Sequence, residues 1–200
     1  VIRTNMGGLG GGIFSDGESG ILNLTHCVIK NNYCQLEGGG IYSSIQSNLK
    51  NCVIEGNSSG LDGGGIKING SNAFLNAENC QFNNNSAIGA GGCGIADKAQ
   101  ANFINCSIYG NTTGGIYEDE YMGGGGGIGT WNAKITLTGC EIYNNFGYFD
   151  GGGISIDTTI ATITNCNIHH NTTNDGGGGG GISCFNYSTL NVNASHIDSN

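Results

Sequence analysis

The stretch Asn51-Cys-Val-Ile-Glu-Gly-Asn-Ser-Ser-Gly-Leu-Asp-Gly-Gly-Gly-Ile66 contains the two short motifs that decide the fold of this chain. Its first half has the form Cys-x-Ile-x-x-Asn, and its second half is a run of glycines closed by isoleucine. Both motifs recur seven times along the 200 residues. A unit that recurs in fixed order along a whole chain is typical of a repeat architecture.

The first motif has the same residue types at the same positions in every copy. Six copies begin at Cys27, Cys52, Cys80, Cys106, Cys140 and Cys166, and the seventh has Ser195. Five residues later each copy ends in asparagine: Asn32, Asn57, Asn85, Asn111, Asn145, Asn171 and Asn200. Apolar residues stand three positions before the cysteine and two after it, with mostly polar residues between. This pattern predicts strands that bury one face and bend inward near the cysteine.

The glycine runs of the second motif close at seven isoleucines: Ile13, Ile41, Ile66, Ile95, Ile128, Ile154 and Ile182. We expect these glycines to supply positive φ angles at a turn where a side chain would clash with its stacked neighbour. They resemble phosphate-binding loops, but the Lys-Ser/Thr pair and following helix of such loops do not follow them. The glycines are therefore predicted to be scaffold.

The repeat predicts an all-β fold, a right-handed parallel β-helix of about seven coils with 25 to 34 residues each. A coil of three short strands and three turns has about this length and rises by one strand spacing of ~4.8 Å. Parallel crossovers strongly prefer the right-handed sense. Leucine-rich repeats have a similar period, but their leucine columns and helical return segments are not found. We interpret residues 1–200 as one β-helix segment of a longer repeat protein, with a variable insertion at 112–127.

Composition narrows the class of protein. The chain has 40 glycines, no proline, 10% charged residues and a net charge of −9. Without a basic stripe, a nucleic-acid partner is not expected. No apolar stretch has the length of a membrane-spanning helix.

The asparagine and cysteine columns are predicted to point into the core. An inward asparagine in each coil can hydrogen-bond the turn backbone and the amide of the next coil. The alternative is a line of asparagines that recognises a ligand. The cysteines are expected to be free thiols that fill the core, although stacked coils are close enough for disulfides.

The longest spacing between motifs marks the most variable surface. It contains the tentative ligand-binding residues Tyr117, Glu118, Asp119, Glu120 and Tyr121, and stacking should bring them beside Tyr148, Phe149 and Asp150 of the next coil. Aromatic rings with carboxylates on a rigid scaffold suit sugars or a protein partner. The alternative is a solvated loop whose rings cover the flank of the helix.

Two further kinds of site are possible. Glu37 and Asp62 precede their isoleucines by four residues on neighbouring coils, as Asp150 does later in the chain, and like charges there repel unless a cation bridges them. A calcium site at Glu37 and Asp62 is therefore a hypothesis; no other cofactor is expected. Among the glycosylation sequons, Asn23, Asn69 and Asn186 are the surface candidates.

The motifs Gly-Gly-x-Ile and (Phe/Ile)-x-x-Asn resemble the repeats of the polymorphic outer membrane protein family, and more broadly those of secreted right-handed (pectin-lyase-like) β-helices. The resemblance covers all seven coils. It departs from the family pattern in having glycine where alanine is usual, isoleucine more often than phenylalanine, and a cysteine column. It implies an autotransported adhesin with a β-helical passenger at the cell surface or outside the cell, and no functional residue carries over.

Three classes of function remain open. We favour a non-catalytic extracellular scaffold that displays adhesive loops to glycans or a cell-surface protein. Its open ends would be covered by flanking coils or by other copies, and end-to-end stacking could instead build a filament or coat. A polysaccharide lyase or hydrolase is the third class. It is disfavoured because Arg3 is the only arginine, no Asp-Asp pair exists, and the four histidines have no nearby carboxylate in the sequence.

Overall fold

The computed structural model describes residues 1–114, 116–117, 120–121, 124–174 and 177–200, and it is a parallel β-helix. Four parallel sheets run the length of the molecule, and each coil contributes one strand to each sheet in turn. The described residues contain no helix. None of their segments therefore forms a helix long and apolar enough to cross a membrane.

The strands of the four sheets follow each other in chain order. Sheet 1 consists of Ile2–Arg3, Val28–Lys30, Val53–Glu55, Gln81–Asn83, Ser107–Tyr109, Glu141–Tyr143, Asn167–His169 and His196–Asp198. Sheet 2 consists of Met6–Gly7, Tyr33–Cys34, Ser58–Ser59, Ser86–Ala87, Thr112–Thr113, Phe146–Gly147 and Thr172–Thr173. Sheet 3 consists of Ile13–Ser15, Ile41–Ser43, Ile66–Asn69, Cys93–Ala96, Ile128–Trp131, Ile154–Asp157 and Ile182–Phe185. Sheet 4 consists of Ile21–Thr25, Gln46–Lys50, Phe74–Glu78, Gln100–Ile104, Lys134–Thr138, Ile160–Thr164 and Thr189–Asn193.

The register places equivalent residues of successive coils side by side. Phe82, for example, pairs with Ile54 of the preceding coil and Ile108 of the following coil. The prediction of about seven coils is confirmed, but each coil has four strands rather than three. The additional strand is the two-residue strand of sheet 2 that follows the ladder asparagine. One motif boundary was also wrong, because Cys93 and not Ile95 pairs with Ile66 and so occupies the isoleucine column.

Sharp corners separate sheet 4 from sheet 1 and sheet 1 from sheet 2. At each corner one residue has a positive φ between 45° and 65°, and it comes directly before the cysteine position or directly before the ladder asparagine. Asparagine and glycine adopt this left-handed conformation most readily. The corner residues before the cysteine position are His26, Asn51, Asn79, Asn105, Gly139, Asn165 and Ala194. Sequence analysis did not detect these two columns, although their asparagine and glycine content was visible.

Apolar columns fill the interior along its length. Isoleucine, leucine, phenylalanine, alanine and cysteine side chains from sheets 1, 3 and 4 form one continuous cluster, and most are less than 2% exposed. Phe82 and Phe103 meet edge to face, with ring centres 5.8 Å apart. The buried positions include those predicted three residues before and two residues after the cysteine, except in the last coil, where Val192 and Ile197 are exposed.

The asparagine column is a continuous hydrogen-bonded ladder. Asn85 Nδ2 donates to Ile54 O and to Asn111 Oδ1, both at 3.0 Å. Its Oδ1 accepts from the backbone N and the Nδ2 of Asn57, at 2.9 and 3.1 Å. The same pattern links eight residues: Asn5, Asn32, Asn57, Asn85, Asn111, Asn145, Asn171 and Asn200. The structural interpretation of this column is confirmed, and Asn5 extends it by one coil.

The glycine runs serve the ladder as well as the turn. The first glycine of a run has the expected positive φ at Gly10, Gly38 and Gly63. The third glycine is required for a different reason. A Cβ at Gly65 would lie 2.6 Å from Gly92 O and 3.0 Å from Asn85 Cγ. The two motifs therefore meet at one contact, the ladder amide packed against a glycine backbone.

The cysteine column forms the corner between sheets 4 and 1. All nine cysteines are free thiols. In this column the sulfurs also make weak hydrogen bonds between coils: Cys52 N donates to Cys80 Sγ at 3.4 Å, and Cys106 Sγ donates to Ala77 O at 3.4 Å. Ser195 Oγ accepts from Cys166 N at 3.0 Å. A hydroxyl can therefore replace the thiol at this position because it accepts the same backbone bond.

Replacing Asn85 by alanine should destabilise the protein strongly. The change removes four buried hydrogen bonds and takes from Asn57 N the acceptor that it has in the ladder, which together costs about 3 kcal/mol or more. Urea unfolding followed by circular dichroism measures this loss. Asn76→Ala is the matched control, since Asn76 lies half-exposed on the outer face of sheet 4 and its loss should cost less than ~0.5 kcal/mol. Equal effects of the two changes would contradict the structural role of the ladder.

Thiol reactivity should divide the cysteines into two groups. Cys184 is exposed and Cys27 half-buried, whereas the other seven are buried. Burial raises the pKa of Cys34 to about 11, so its reactive thiolate is scarce at pH 8. A chromogenic disulfide reagent at pH 8 should therefore modify Cys184 quickly, Cys27 more slowly, and the buried thiols only after unfolding. Rapid native-state modification of seven or more thiols would contradict this packing.

Candidate functional site

A groove of about 980 Å³ lies on the outer face of sheet 3. Small residues form its floor, because side chains alternate between the two faces of a strand and the outward positions that line the groove include Ala96, Gly129 and Ser155. The loops that lead from sheet 2 into sheet 3 form one wall. The groove thus runs across several coils, along the axis of the helix.

An aromatic and acidic column follows the edge of this floor. In-register pairing aligns Trp131, Asp157 and Phe185 on three successive coils. Trp131 is 55% exposed, and all three residues line the groove. Asp157 Oδ1 accepts hydrogen bonds from Asn186 Nδ2 at 2.6 Å and from Thr158 Oγ1 at 2.8 Å. The carboxylate therefore has a fixed orientation between two rings.

The predicted cluster Tyr148, Phe149 and Asp150 lies at the wall of the groove. Phe149 and Asp150 line it, and Phe149 packs edge to face against Tyr148 with ring centres 4.6 Å apart. Burial, followed by the charge of Asp157, raises the pKa of Asp150, while a hydrogen bond with Ser155 lowers it by a smaller amount. Two of the three residues predicted here therefore reach the same groove.

The remaining predicted ligand residues lie in the long insertion. Glu118 and Asp119 are outside the described residues. Tyr117, Glu120 and Tyr121 belong to a short antiparallel hairpin, Ile116–Tyr117 with Glu120–Tyr121, of which only the backbone is described. The contact predicted between these side chains and Tyr148 to Asp150 stays a prediction. Within the insertion, Gly124 is a described residue that lines the groove.

Lys67, like Trp131, Asp157 and Phe185, is a site residue that was not predicted from the sequence. It projects from strand Ile66–Asn69 with a side chain only 5% exposed, and its Nζ contacts Asp62 Oδ2 and lies 3.6 Å from Glu37 Oε1. Burial lowers the pKa of Lys67, but the charges of Asp62 and Glu37 outweigh burial and leave the pKa above its usual value. Burial also raises the pKa of Glu37, although Lys67 opposes that effect.

This arrangement bears on the calcium hypothesis. Glu37 and Asp62 do lie beside each other, joined by a parallel bridge between coils. The Lys67 ammonium takes the position between them at which a cation was expected. Among the described residues, no group of three or more histidine, cysteine, aspartate or glutamate side chains is arranged to hold a metal ion. The structure therefore favours lysine as the bridging cation, and calcium binding stays a prediction.

The histidines lie on other faces. His169 stacks on Tyr143, with ring centres 5.3 Å apart, and Tyr143 stacks on Tyr109 at 4.9 Å. The Nε2 atom of His169 is 3.4 Å from Glu141 Oε1 of the preceding coil. The expectation that no carboxylate lies near a histidine is wrong, because Asp198 follows His196 by two residues and Glu141 lies beside His169 on the neighbouring coil. This stack is on the outer face of sheet 1, away from the groove.

The glycosylation candidates have different surroundings. Asn23 is exposed on sheet 4, where its Oδ1 accepts from Asn48 Nδ2 at 2.9 Å. Asn69 and Asn186 line the groove, and Asn186 donates to Asp157. Glycosylation at these two positions would place a sugar inside the groove itself.

Comparison with known families agrees with this architecture. The family model described as "Right handed beta helix region" matches residues 63–200. The chain therefore belongs to the right-handed β-helix family. No curated protein and no solved structure matches it.

Proposed function

We propose that this β-helix is a non-catalytic, extracellular adhesive scaffold that binds an extended neutral glycan in the groove on sheet 3. The column of Trp131, Asp157 and Phe185 beside a floor of small residues is the observation that carries the proposal. Pockets of this kind combine apolar surfaces with a few placed polar groups. The extracellular location is part of the proposal and agrees with the resemblance to secreted β-helices.

The spacing of the two rings suits a sugar chain. Trp131 and Phe185 stand two coils apart, which is about 10 Å at the strand spacing of a β-sheet. This is close to the length of one disaccharide unit in an extended β-1,4-linked chain. The apolar C–H face of a pyranose ring packs well on an aromatic ring, while Asp157 between the rings can accept hydrogen bonds from hydroxyl groups.

The charge of the groove favours a neutral chain over an anionic one. Lys67 is the one basic side chain among the described residues that line the groove. Five carboxylates also line it: Glu37, Asp62, Asp97, Asp150 and Asp157. Lys67 is itself paired with two of them. A polyanionic glycan would meet net repulsion there, whereas neutral hydroxyl groups would find acceptors.

A binding role is also more consistent with Lys67 than a lyase mechanism is. A lyase needs a neutral lysine or arginine as its base, and the pKa of Lys67 is raised by Asp62 and Glu37, after allowing for the opposing effect of burial. Lys67 therefore stays an ammonium at neutral pH. Its place at the groove is better suited to holding the wall loops together than to removing a proton.

Replacing Trp131 by alanine should weaken binding to a neutral β-glucan or β-mannan at least tenfold, or about 1.4 kcal/mol. Affinity electrophoresis in gels with the soluble polysaccharide measures this change. Tyr187→Ala is the matched control, because Tyr187 is 95% exposed and lies outside the groove. It should leave affinity unchanged.

Two results would count against the proposal. The first is equal affinity of the Trp131→Ala and wild-type proteins for every neutral glycan that binds. The second is release of reducing ends from the polysaccharide by the wild-type protein. If Asp150→Asn abolished that release, the groove would be a hydrolase site with Asp150 as its acid.

A further inference from the structure

We propose that Lys67 and Asp62 form an intramolecular isopeptide bond, with Glu37 as the group that relays the proton. The bond would join Lys67 Nζ to Asp62 Cγ and release one water molecule. This modification is separate from glycan binding and does not depend on it. It rests on four features of this cluster: contact, burial, backbone donors and a second carboxylate.

The nucleophile and the electrophile are in contact and largely buried. Lys67 Nζ contacts Asp62 Oδ2, and the side chains of Lys67 and Asp62 are 5% and 22% exposed. The backbone forms a tight cover over the carboxylate. A Cβ at Gly94 would lie 2.9 Å from both Asp62 carboxylate oxygens, and one at Gly89 would lie 3.0 Å from Oδ1. Glycine at positions 89 and 94 of the following coil therefore leaves room for the Asp62 carboxylate.

The second carboxylate oxygen has the partners of an oxyanion site. Asp62 Oδ1 accepts from Gly63 N at 2.8 Å and from Ala90 N at 2.6 Å. Two backbone N–H groups aimed at one oxygen stabilise the negative charge that develops when the carbonyl carbon is attacked. A simple ion pair between Lys67 and Asp62 does not require this arrangement on the opposite oxygen.

The reaction needs no oxidant, reductant or cofactor. Lys67 rests as an ammonium in contact with Asp62, and the reaction begins when one proton passes from Lys67 Nζ to Asp62 Oδ2, which gives an amine and a carboxylic acid. The Nζ lone pair then forms a bond to Cγ, and the π electrons of the Cγ–Oδ1 bond move onto Oδ1. There the amides of Gly63 and Ala90 donate to the oxyanion.

Glu37 completes the transfer. Its Oε1 lies 3.6 Å from Lys67 Nζ, close enough for the carboxylate to remove a proton from the attacking nitrogen. It then delivers this proton to the Oδ2 hydroxyl, which leaves as water with the electrons of the Cγ–Oδ2 bond while the Cγ–Oδ1 double bond re-forms. Burial raises the pKa of Glu37, which suits a group that accepts and returns a proton.

Mass spectrometry of the full chain tests the proposal. The intact reduced protein should be lighter than its sequence by one water molecule. After denaturation, trypsin should fail to cleave at Lys67, and fragmentation should locate the link between residues 62 and 67. Lys50 is an internal control, because it pairs with Glu78 at 3.1 Å in an exposed ion pair and should be cleaved normally.

Two variants separate this bond from other dehydrations. Lys67→Arg keeps the positive charge but removes the nucleophile, and it should restore the full sequence mass. Glu37→Gln keeps the shape but cannot relay the proton, and it should leave most of the protein unlinked.

A succinimide at Asp62-Gly63 would lose the same water. In that case the deficit would persist in Lys67→Arg, and Lys67 of the wild-type protein would remain cleavable. Either finding overturns the proposal, as does a wild-type mass equal to that of the sequence. The wild-type digest alone decides the matter even if a variant fails to fold.

Discussion

The ~4.8 Å spacing between stacked strands is the constraint on which this structure depends. It brings each residue into contact with the residue at the same position of the coils above and below. Only side chains that pack or hydrogen-bond well with their own kind can form a continuous column. Asparagine meets this condition because its amide both donates and accepts hydrogen bonds. Each asparagine from Asn5 to Asn171 therefore donates to Oδ1 of the asparagine in the next coil, ending at Asn200. The third glycine of each run is the other side of the same contact, since a Cβ there would meet the ladder amide.

This constraint explains why so much of the fold was predictable. A column that stacks on itself must use one residue type at one spacing, so the asparagine, cysteine and isoleucine columns were visible in the sequence. Other features follow less directly. The two-residue strands of sheet 2 are too short to show alternation. The positive-φ corners were marked by Asn and Gly, but asparagine is so frequent here that the signal did not stand out. Cys93 replaced isoleucine in its column and misled the alignment of one coil.

The candidate site was predicted only in part, for a related physical reason. Outward-facing residues need not stack on themselves, so they carry no periodic signal. Glu37 and Asp62 could be paired because both are acidic and precede the same motif by the same distance. Lys67 could not, because it stands at a single outward position that is not repeated in the other coils, although Asp62 is only five residues earlier in the same coil. Trp131, Asp157 and Phe185 form a column only once the register of sheet 3 is known.

Function in such a scaffold therefore lies in the departures from its repeat. Inward positions are restricted to a few self-stacking residues, so differences between coils accumulate on the outer face and in the loops before the glycine runs. Gly94 and Gly129 interrupt the outward column that holds Lys67, and the missing side chain at Gly129 opens the floor of the groove. The same absence of a side chain at Gly94 gives the Asp62 carboxylate its place beside Lys67. The two glycines thus have different effects: Gly129 opens the floor of the groove, and Gly94 makes room for the carboxylate that contacts Lys67. Both effects consequently arise from glycines at the same outward position of two successive coils.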